Sequence, residues 1–234
     1  MTAVLAIGGT DSSGGAGITR DTAMAAKLGV TARPVVTAVT VQTDAAVLAV
    51  YPCQPRAVAQ QARAALAAPP APGAAKIGML GSAAVAEAVA AALPEDLPIV
   101  LDPVLKASSG GTLMEAEGFD ALLRRALLAT PNLAELETLS GVRGGTEAQA
   151  AALLAQGVQA VLVKGGHGTG AESIDLLFTA DGAVLPFAAP RLAVSKRGTG
   201  CSLATAIACF LAQGAGLEEA CRRGKASVHR WLRR

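Results

Sequence analysis

Aromatic side chains and excess charge are both scarce in this sequence. Only 3% of its 234 residues are aromatic while 52% are hydrophobic, so a folded core has to be built mainly from Ala, Val, Leu and Ile. The formal net charge is +2, and the basic residues that begin at Arg222 are interpreted as one solvated helix face. Because a broad basic surface and base-stacking aromatic residues are both missing, we expect no nucleic-acid partner and no membrane partner.

Paired cysteines and long hydrophobic runs are also missing. The four cysteines form no CxxC pair, which argues against a zinc site or a disulfide framework and is typical of free thiols in a reducing compartment. The apolar run near the first residue is too short for a signal peptide and has no basic segment before it. Gln60 and Glu87 interrupt the Ala-rich stretches, so no transmembrane helix is expected and the protein is predicted to be cytoplasmic.

What the sequence does contain is a steady alternation of short apolar runs and longer helical patterns. The predicted strands are 4–8, 34–41, 75–79, 98–101, 127–130, 160–164, 174–178 and 183–187. The predicted helices are 15–28, 55–68, 82–93, 118–126, 147–156, 199–213 and 217–232. Apolar strands that alternate with helices predict one α/β domain, residues 1–234, with a mostly parallel sheet covered on both faces. Asp181 and Gly182 indicate a hairpin between the last two strands and therefore an antiparallel edge.

Ligands of such sheets bind at the carboxyl ends of the strands. The first polar segment there is the glycine- and serine-rich loop 8–21, which leads from a strand into a helix whose N–H groups can receive an anion or a polar ligand edge. It has neither the Lys-Ser/Thr of a phosphate-binding P-loop nor a GxGxxG pattern. The alternative is a tight strand-to-helix turn, with Asp21 as an ordinary acid early in the helix.

A second candidate site opens the long apolar helix near the end of the chain, at Gly198, Thr199, Gly200 and Cys201. Two glycines allow close packing, and the unpaired N–H groups of the first helical turn form an anion site. The helix dipole is expected to lower the pKa of the Cys201 thiol, which could then orient or deprotonate an attacking hydroxyl. The alternative is that Cys201 is only a small buried residue.

Two further segments carry candidate ligand groups at strand ends. Asn132 and Glu135 have the spacing of a helix-capping box, and they could equally hold Mg²⁺ beside a nucleotide. Lys164 ends an apolar strand and is followed by two glycines, which places it well for a phosphate oxygen or, alternatively, in solvent.

The segments GTDSSGGAGI, KIGML, DPV, TPNLAE, VKGGH and GTGC occur in one order, and with them the sequence resembles the hydroxymethylpyrimidine/phosphomethylpyrimidine kinases of thiamine biosynthesis. The resemblance extends from Val4 to about Trp231. It implies a ribokinase-like three-layer fold, ATP-dependent phosphorylation of the hydroxymethylpyrimidine or its monophosphate, ATP and Mg²⁺ as cofactors, and a homodimer. A cysteine at position 201 is specific within the superfamily, since its sugar kinases usually carry an aspartate there.

The resemblance also implies a role for each matching residue. Gln42 would hydrogen-bond the pyrimidine edge and Met79 would pack on the ring. The implied substrate-binding residues are Gly9, Ala16, Asp21, Gln42 and Met79. Those near the nucleotide are Lys164, Asn132 and Arg197, those at the metal are Asp102 and Glu135, and the anion site with the catalytic cysteine is formed by Gly198, Thr199, Gly200 and Cys201.

Three departures from the family pattern bear on this interpretation. Arg197 stands where a histidine usually precedes GTGC, and an arginine can contact phosphate directly. Ser108 and Gly111 stand where a lysine and an aspartate are common, and the sequence ends sooner than is usual. Two other functions stay open, a pyridoxal kinase on the same scaffold and a non-catalytic pyrimidine-binding protein. If Cys201 deprotonates the alcohol, its loss should harm the first phosphorylation more than the second.

Overall fold

A computed structural model describes residues 1–106, 113–114, 116–166 and 168–234 of the protein. Ser108 and Gly111, and His167 of the VKGGH segment, lie outside the described residues. The strands are β1 Ala3–Gly8, β2 Thr31–Val36, β3 Ala38–Gln42, β4 Val47–Pro52, β5 Pro72–Ile77, β6 Ile99–Leu101, β7 Leu128–Ala129, β8 Ala160–Val163, β9 Glu172–Thr179 and β10 Val184–Pro190. The helices are α1 Gly17–Lys27, α2 Pro55–Ala67, α3 Ala83–Ala92, α4 Asp120–Leu123, α5 Leu133–Ser140, α6 Thr146–Ala155, α7 Thr199–Ala212 and α8 Leu217–Leu232.

Eight strands form one sheet in the order β10-β9-β8-β7-β6-β5-β1-β2. The strands from β2 to β8 in this order pair in parallel, whereas β9 is antiparallel to β8 and to β10. The turn between β9 and β10 contains Gly182 at φ 85°, a left-handed conformation that glycine adopts without strain. The predicted mostly parallel sheet with an antiparallel edge hairpin is therefore confirmed.

Helices cover both faces of this sheet. One apolar core joins the sheet to helices α2 to α6 and contains large buried side chains such as Phe119 and Leu136. The other joins it to α1, α7 and α8 and contains Met24, Leu203 and Cys221. Since the strands contribute to both cores, they read in the sequence as continuous apolar runs. Within the described part of the chain, no helix has both the length and the hydropathy needed to cross a bilayer.

A two-stranded antiparallel sheet, β3 with β4, stands apart from the main sheet. We call residues 38–52 the flap. The prediction of one strand over 34–41 is wrong, because the chain leaves the main sheet at Thr37. This residue is fully buried; its N–H donates to the Gly8 carbonyl at 3.0 Å and its hydroxyl to the Met79 carbonyl at 2.6 Å.

Two helix predictions also need correction. Instead of one helix over 118–126, the structure has a 3-10 turn at Ala116–Phe119 and a single helical turn, α4. No separate helix was predicted at 133–140, where α5 forms with Asn132 as its N-cap and Gly141 at φ 64° as its C-cap. The cap residues were recognised in the sequence, but a helix of only eight residues shows little periodicity.

Candidate active site

The predicted site residues collect along the edge where β1, β5, β6, β7 and β8 end. The loop after β1, the segment before α7 and the flap all border this edge, as hydrogen bonds from Thr10 to Ala38 and from Thr37 to Gly8 show. Beyond β7 and β8, Asn132 and Lys164 form an isolated parallel β-bridge, so that the ends of these two neighbouring strands lie side by side. These residues thus lie at the carboxyl ends of the parallel strands, as predicted. Gln42 is the exception to that rule, since it belongs to the flap.

The segment before α7 packs against the loop after β1. Gly198 has φ 73°, and a Cβ there would overlap the carbonyl oxygen of Gly15. The close approach and the left-handed backbone both require glycine at this position. Thr199 donates its hydroxyl to the Lys196 carbonyl at 2.6 Å, and the first N–H groups of α7 have no intrahelical acceptor. The unpaired N–H groups of this helix start are the donors for which the sequence predicts an anion site at Gly198, Thr199, Gly200 and Cys201.

A charged cluster lies directly beside this helix start. The ammonium of Lys164 is 3.0 Å from Oδ1 of Asp102 and 3.5 Å from Oε2 of Glu135. A Cβ added to Gly200 would find Nζ of Lys164 at 3.3 Å and the two carboxylate oxygens of Asp102 at 3.7 and 3.8 Å. Lys164 and Asp102 therefore pack closely against Gly200, and polar atoms of both signs lie at the start of α7.

The electrostatics of the cluster follow from burial and neighbouring charge. Burial opposes ionisation of Asp102, but Lys164 and Lys76 outweigh it and hold the pKa of Asp102 below its usual value of 3.8. Burial raises the pKa of Glu135 above 4.5, against the opposing effect of Lys164. Despite its own burial, the pKa of Lys164 is raised by Asp102 and Glu135, so the lysine is a permanent cation.

Cys201 does not have the lowered pKa that the sequence analysis predicted. Desolvation raises the pKa of its thiol to about 12, with Lys76 opposing the rise and Asp102 and Asp21 adding to it. The thiol is hydrogen-bonded to the Asp102 carboxylate. Here desolvation and two nearby carboxylates outweigh the helix dipole, so a neutral thiol is expected at physiological pH. Cys209 and Cys221 are buried free thiols in the core, as predicted.

Asp21 lies beneath the site and not on its surface. Its side chain is fully buried, 2.8 Å from the ammonium of Lys76, and accepts a hydrogen bond from Thr205 at 2.8 Å. The prediction that Asp21 borders the substrate is not supported in this arrangement, because the carboxylate has no exposed surface. Sequence reasoning overlooked Lys76 as its partner, although a lysine inside the apolar segment KIGML was a visible signal.

The predicted substrate side is formed by the loop after β1 and the flap. Met79 is 8% exposed, and a Cβ on Gly9 would overlap its sulfur, so glycine there makes room for the thioether. The N–H of Ala16 donates to Asp11 at 2.8 Å, which fixes the loop. Gln42 ends β3, and its side-chain oxygen accepts a hydrogen bond from Thr40 at 3.3 Å. The resemblance implies that these residues contact an aromatic heterocycle, and this stays a prediction.

Asn132 and Glu135 form the capping box that the sequence left as an alternative. The Glu135 N–H donates to Oδ1 of Asn132 at 2.9 Å, and the Asn132 N–H donates to Oε2 of Glu135 at 2.8 Å. Asn132 thus serves the helix start, while Glu135 serves the cap and the Lys164 cluster together. The two interpretations of Glu135 are compatible, because one carboxylate oxygen can accept more than one hydrogen bond.

The acidic groups are suited to Mg²⁺ without forming a closed metal cage. Asp102 and Glu135 are hard oxygen donors that lie close enough for Lys164 to contact both. In the described ranges, His, Cys, Asp and Glu side chains never gather in threes around a possible metal position. Mg²⁺ in kinases is usually held by one or two carboxylates together with phosphates and water, so the residues present fit the ion.

Arg197 lies above the loop after β1. Its guanidinium pairs with Asp11 at 2.8 Å and with Asp44 of the flap at 2.9 Å. Neither aspartate was singled out in the sequence: Asp11 lies in the loop after β1, and Asp44 lies in the turn between two strands that were not predicted as a pair.

Solved structures similar to this chain include ribokinase-like small-molecule kinases. The phosphomethylpyrimidine kinase of Clostridium difficile matches with a TM-score of 0.82 and 29% identity, covering 99% of this chain and 100% of that one. The pyridoxal kinase of Staphylococcus aureus in complex with pyridoxal matches with a TM-score of 0.87 and 27% identity, covering 100% and 88%.

Sequence comparison narrows this class. The phosphomethylpyrimidine kinase family matches residues 11–234. A hydroxymethylpyrimidine/phosphomethylpyrimidine kinase of Rhizobium meliloti is 40% identical over 240 residues, covering 98% of this chain and 90% of the relative. The chain belongs to the phosphomethylpyrimidine kinase family.

Proposed function

We propose that the protein transfers the γ-phosphoryl group of ATP to 4-amino-5-hydroxymethyl-2-methylpyrimidine, to its monophosphate, or to both, in thiamine biosynthesis. The observation that carries the proposal is the charged cluster of Lys164, Asp102 and Glu135, which packs beside Gly200 at the start of α7. It has the fixed positive charge and the backbone donors that a transferring phosphoryl group needs, and it lies at the same sheet edge as Met79.

The proposed roles follow from the charges of the site. Lys164 would neutralise a phosphate oxygen, and the first N–H groups of α7 would hold the transferring group. Cys201 would orient the Asp102 carboxylate through its thiol and would not act as a base, since its pKa is about 12. Phosphoryl transfer proceeds through a loose transition state, so positioning of the acceptor hydroxyl matters more than early proton removal.

Mg²⁺ would be held at Asp102 and Glu135, together with ATP phosphates and water. When bound, the ion neutralises phosphate charge. Lys164 cancels one of the two carboxylate charges beside it, which leaves a net negative site that still attracts a divalent cation. The chain's own residues thus supply both a fixed cation and a place for an exchangeable one.

A pyridoxal kinase is the second candidate, and one observation favours it. The structural match to a pyridoxal kinase has a higher TM-score than the match to a phosphomethylpyrimidine kinase, although its sequence identity is slightly lower. The family match and the relative at 40% identity favour the pyrimidine. A non-catalytic pyrimidine-binding protein is the third candidate, and it would bind the acceptor without releasing ADP.

We further propose that the single-domain chain works in the cytoplasm as a homodimer formed through the flap. Val39 and Tyr51 are direct partners across the flap and Val41 shares their face, and all three are more than 40% exposed. An outward apolar face of this kind is typical of an interface. Sedimentation equilibrium of the wild type and of Tyr51→Ser would test this, with a dimer and a weakened dimer expected. A monomeric wild type would contradict it.

The test of the catalytic proposal is acceptor-dependent ADP release with Mg-ATP. The hydroxymethylpyrimidine, its monophosphate and pyridoxal are compared with the wild type and with Lys164→Met, which controls for contaminating kinases. Turnover of either pyrimidine above pyridoxal supports the proposal. Turnover of pyridoxal alone assigns the second candidate. Binding of the pyrimidine by calorimetry without ADP release assigns the third.

A further inference from the structure

The guanidinium of Arg197 joins three segments that border the proposed active site. It belongs to the segment before α7, its Nη2 donates to Asp11 of the loop after β1 at 2.8 Å, and its Nη1 donates to Asp44 of the flap at 2.9 Å. Nη1 also donates to the Ser13 hydroxyl. The anion site and the flap are therefore connected through one side chain.

The connection to Asp11 is the fixed one. Asp11 is 2% exposed and accepts hydrogen bonds from the Ser13 N–H at 2.9 Å and from the Ala16 N–H at 2.8 Å. A Cβ on Gly15 would lie only 2.9 Å from Nη1, so the guanidinium rests directly on the loop backbone. A cation held by a buried carboxylate and by close backbone packing is anchored on the loop after β1.

The connection to Asp44 is the releasable one. The Asp44 side chain is 86% exposed, and an exposed ion pair contributes little to stability and is screened by salt. Other side-chain hydrogen bonds also join the flap to the loop after β1, among them the bond from the Thr40 hydroxyl to the Thr10 carbonyl at 2.8 Å. Ser12 donates to the Gln42 carbonyl at 2.6 Å and accepts from the Gln42 N–H at 2.8 Å. Arg197 therefore acts on the same end of the flap as Gln42.

We propose that Arg197 is a positioning residue that latches the flap over the acceptor, with Asp11 as its permanent anchor and Asp44 as the partner that releases when the acceptor enters or leaves. The latch holds Gln42 against the loop that carries Ala16, so it sets the geometry of acceptor binding and leaves the Lys164 cluster unchanged. Its catalytic consequence rests on the proposed function, while its effect on flap opening does not.

Asp44 variants test the latch without disturbing the anchored side of Arg197. Asp44→Asn removes the pairing charge, Asp44→Lys adds repulsion, and Asp44→Glu keeps the charge as a conservative rescue. Asp96→Asn is the matched control, because it neutralises an exposed aspartate for which the described structure records no ion pair. Since Asp44 is so exposed, all of these variants are expected to fold.

Hydrogen exchange of the free protein is the first measurement. Amides of residues 38–52 should exchange about two- to fivefold faster in Asp44→Asn, about tenfold faster in Asp44→Lys and unchanged in Asp44→Glu and Asp96→Asn. An ionic strength of about 0.5 M should abolish the difference in exchange rate between the wild type and Asp44→Asn. Equal exchange in wild type, Asp44→Asn and Asp44→Lys would overturn the latch, whatever the activity of the protein.

Steady-state kinetics then tests the positioning role. The acceptor KM should rise about two- to fivefold in Asp44→Asn, while kcat and the ATP KM stay within about twofold of the wild type. A change in the ATP KM with an unchanged acceptor KM would overturn the assignment to the acceptor. If the wild type turns over no acceptor, the proposed function fails, and the exchange data still decide whether the latch exists.

Discussion

Two lysines near the carboxyl ends of parallel strands both pair with an aspartate, but they differ in burial and surroundings. Lys76 in β5 lies 2.8 Å from Asp21, and Lys164 after β8 lies 3.0 Å from Asp102. The Lys76 and Asp21 side chains are 1% and 0% exposed, so their charges are closed off by protein. Lys164 is 14% exposed and shares a second carboxylate. Ion pairing alone therefore does not mark a functional lysine in this fold.

The surroundings of the two lysines explain what pairing does not. Lys76 has core atoms around it, and a Cβ on Gly78 would come within 2.7 Å of its ammonium. Lys164 faces the space beside Gly200, whose nearest atoms are its own ammonium and the Asp102 oxygens. The first pair is closed off by protein, whereas Lys164 keeps 14% of its side chain exposed and lies among charged groups at the helix start. We infer that Lys76 supports the fold beneath the site and that Lys164 serves the reaction.

The largest expected effect is on stability, from Lys76→Met. Removing one partner of a buried pair leaves Asp21 uncompensated and should lower the free energy of unfolding by about 3–5 kcal/mol. Urea unfolding measures it, with Lys164→Met expected to lose much less. The double variant Lys76→Met/Asp21→Asn should recover most of the loss. A single Lys76→Met variant as stable as the wild type would show that the pair does not support the fold.

The next effect is on catalysis, from Lys164→Met. Loss of one fixed charge at the transferring phosphoryl group should lower kcat by about 10²–10³-fold, with the unfolding midpoint close to that of the wild type. Rapid-quench measurement of ADP formation gives the chemical step directly. Retention of the wild-type kcat would remove Lys164 from the site and make it, like Lys76, a structural lysine.

Gly200→Ala adds a single methyl group beside Lys164 and none beside Lys76. The new Cβ would lie 3.3 Å from Nζ of Lys164 and would occupy the space assigned to the phosphoryl group. We expect kcat to fall at least about tenfold, because the added methyl group competes with the transferring group. Alanine favours the first turn of α7, so the melting temperature should stay equal or rise. A lower melting temperature with normal kcat would contradict this interpretation.

The smallest effect is expected for Cys201→Ser, which keeps a donor beside Asp102. With a thiol pKa of about 12, no thiolate forms in the working range. The pH profile of kcat should show no ionisation of Cys201 between about pH 6.5 and 9. In Cys201→Ser, kcat should fall less than about tenfold for both phosphorylations alike. A limb with an apparent pKa between about 7 and 9 that disappears in Cys201→Ser would reinstate the cysteine as a base.

Much of the fold could be predicted from the sequence, because its strands are apolar and its helices are long. The boundaries of β1 and α7 are within one or two residues of the prediction. The flap was missed for a physical reason. Residues 34–41 are a single apolar run, and only the outward exposure of Val39 and Val41 and the buried contacts of Thr37 divide it between two sheets. These contacts are tertiary and leave no periodic signal in the sequence.

The gathering of most candidate residues at one sheet edge was predictable, and their electrostatics were less so. Glycines at 9, 198 and 200 were recognised from turn and helix-start patterns, and the structure shows close contacts at each. The predicted direction of the Cys201 pKa shift was wrong, because burial desolvates the thiol and the carboxylates Asp102 and Asp21, from distant parts of the sequence, add to the rise. Asp21 likewise found its partner 55 residues away. Charge effects of this kind depend on which loops meet, and a single sequence does not specify that.

The most direct test of the central claim is acceptor-dependent ADP release by the wild type and by Lys164→Met, measured side by side with the hydroxymethylpyrimidine as acceptor. Robust turnover by the wild type that falls by about two to three orders of magnitude in a fully folded Lys164→Met variant is the predicted result. Wild-type protein that releases no ADP with any acceptor, or a Lys164→Met variant that matches it in turnover, would contradict the assignment of this lysine cluster as the active site.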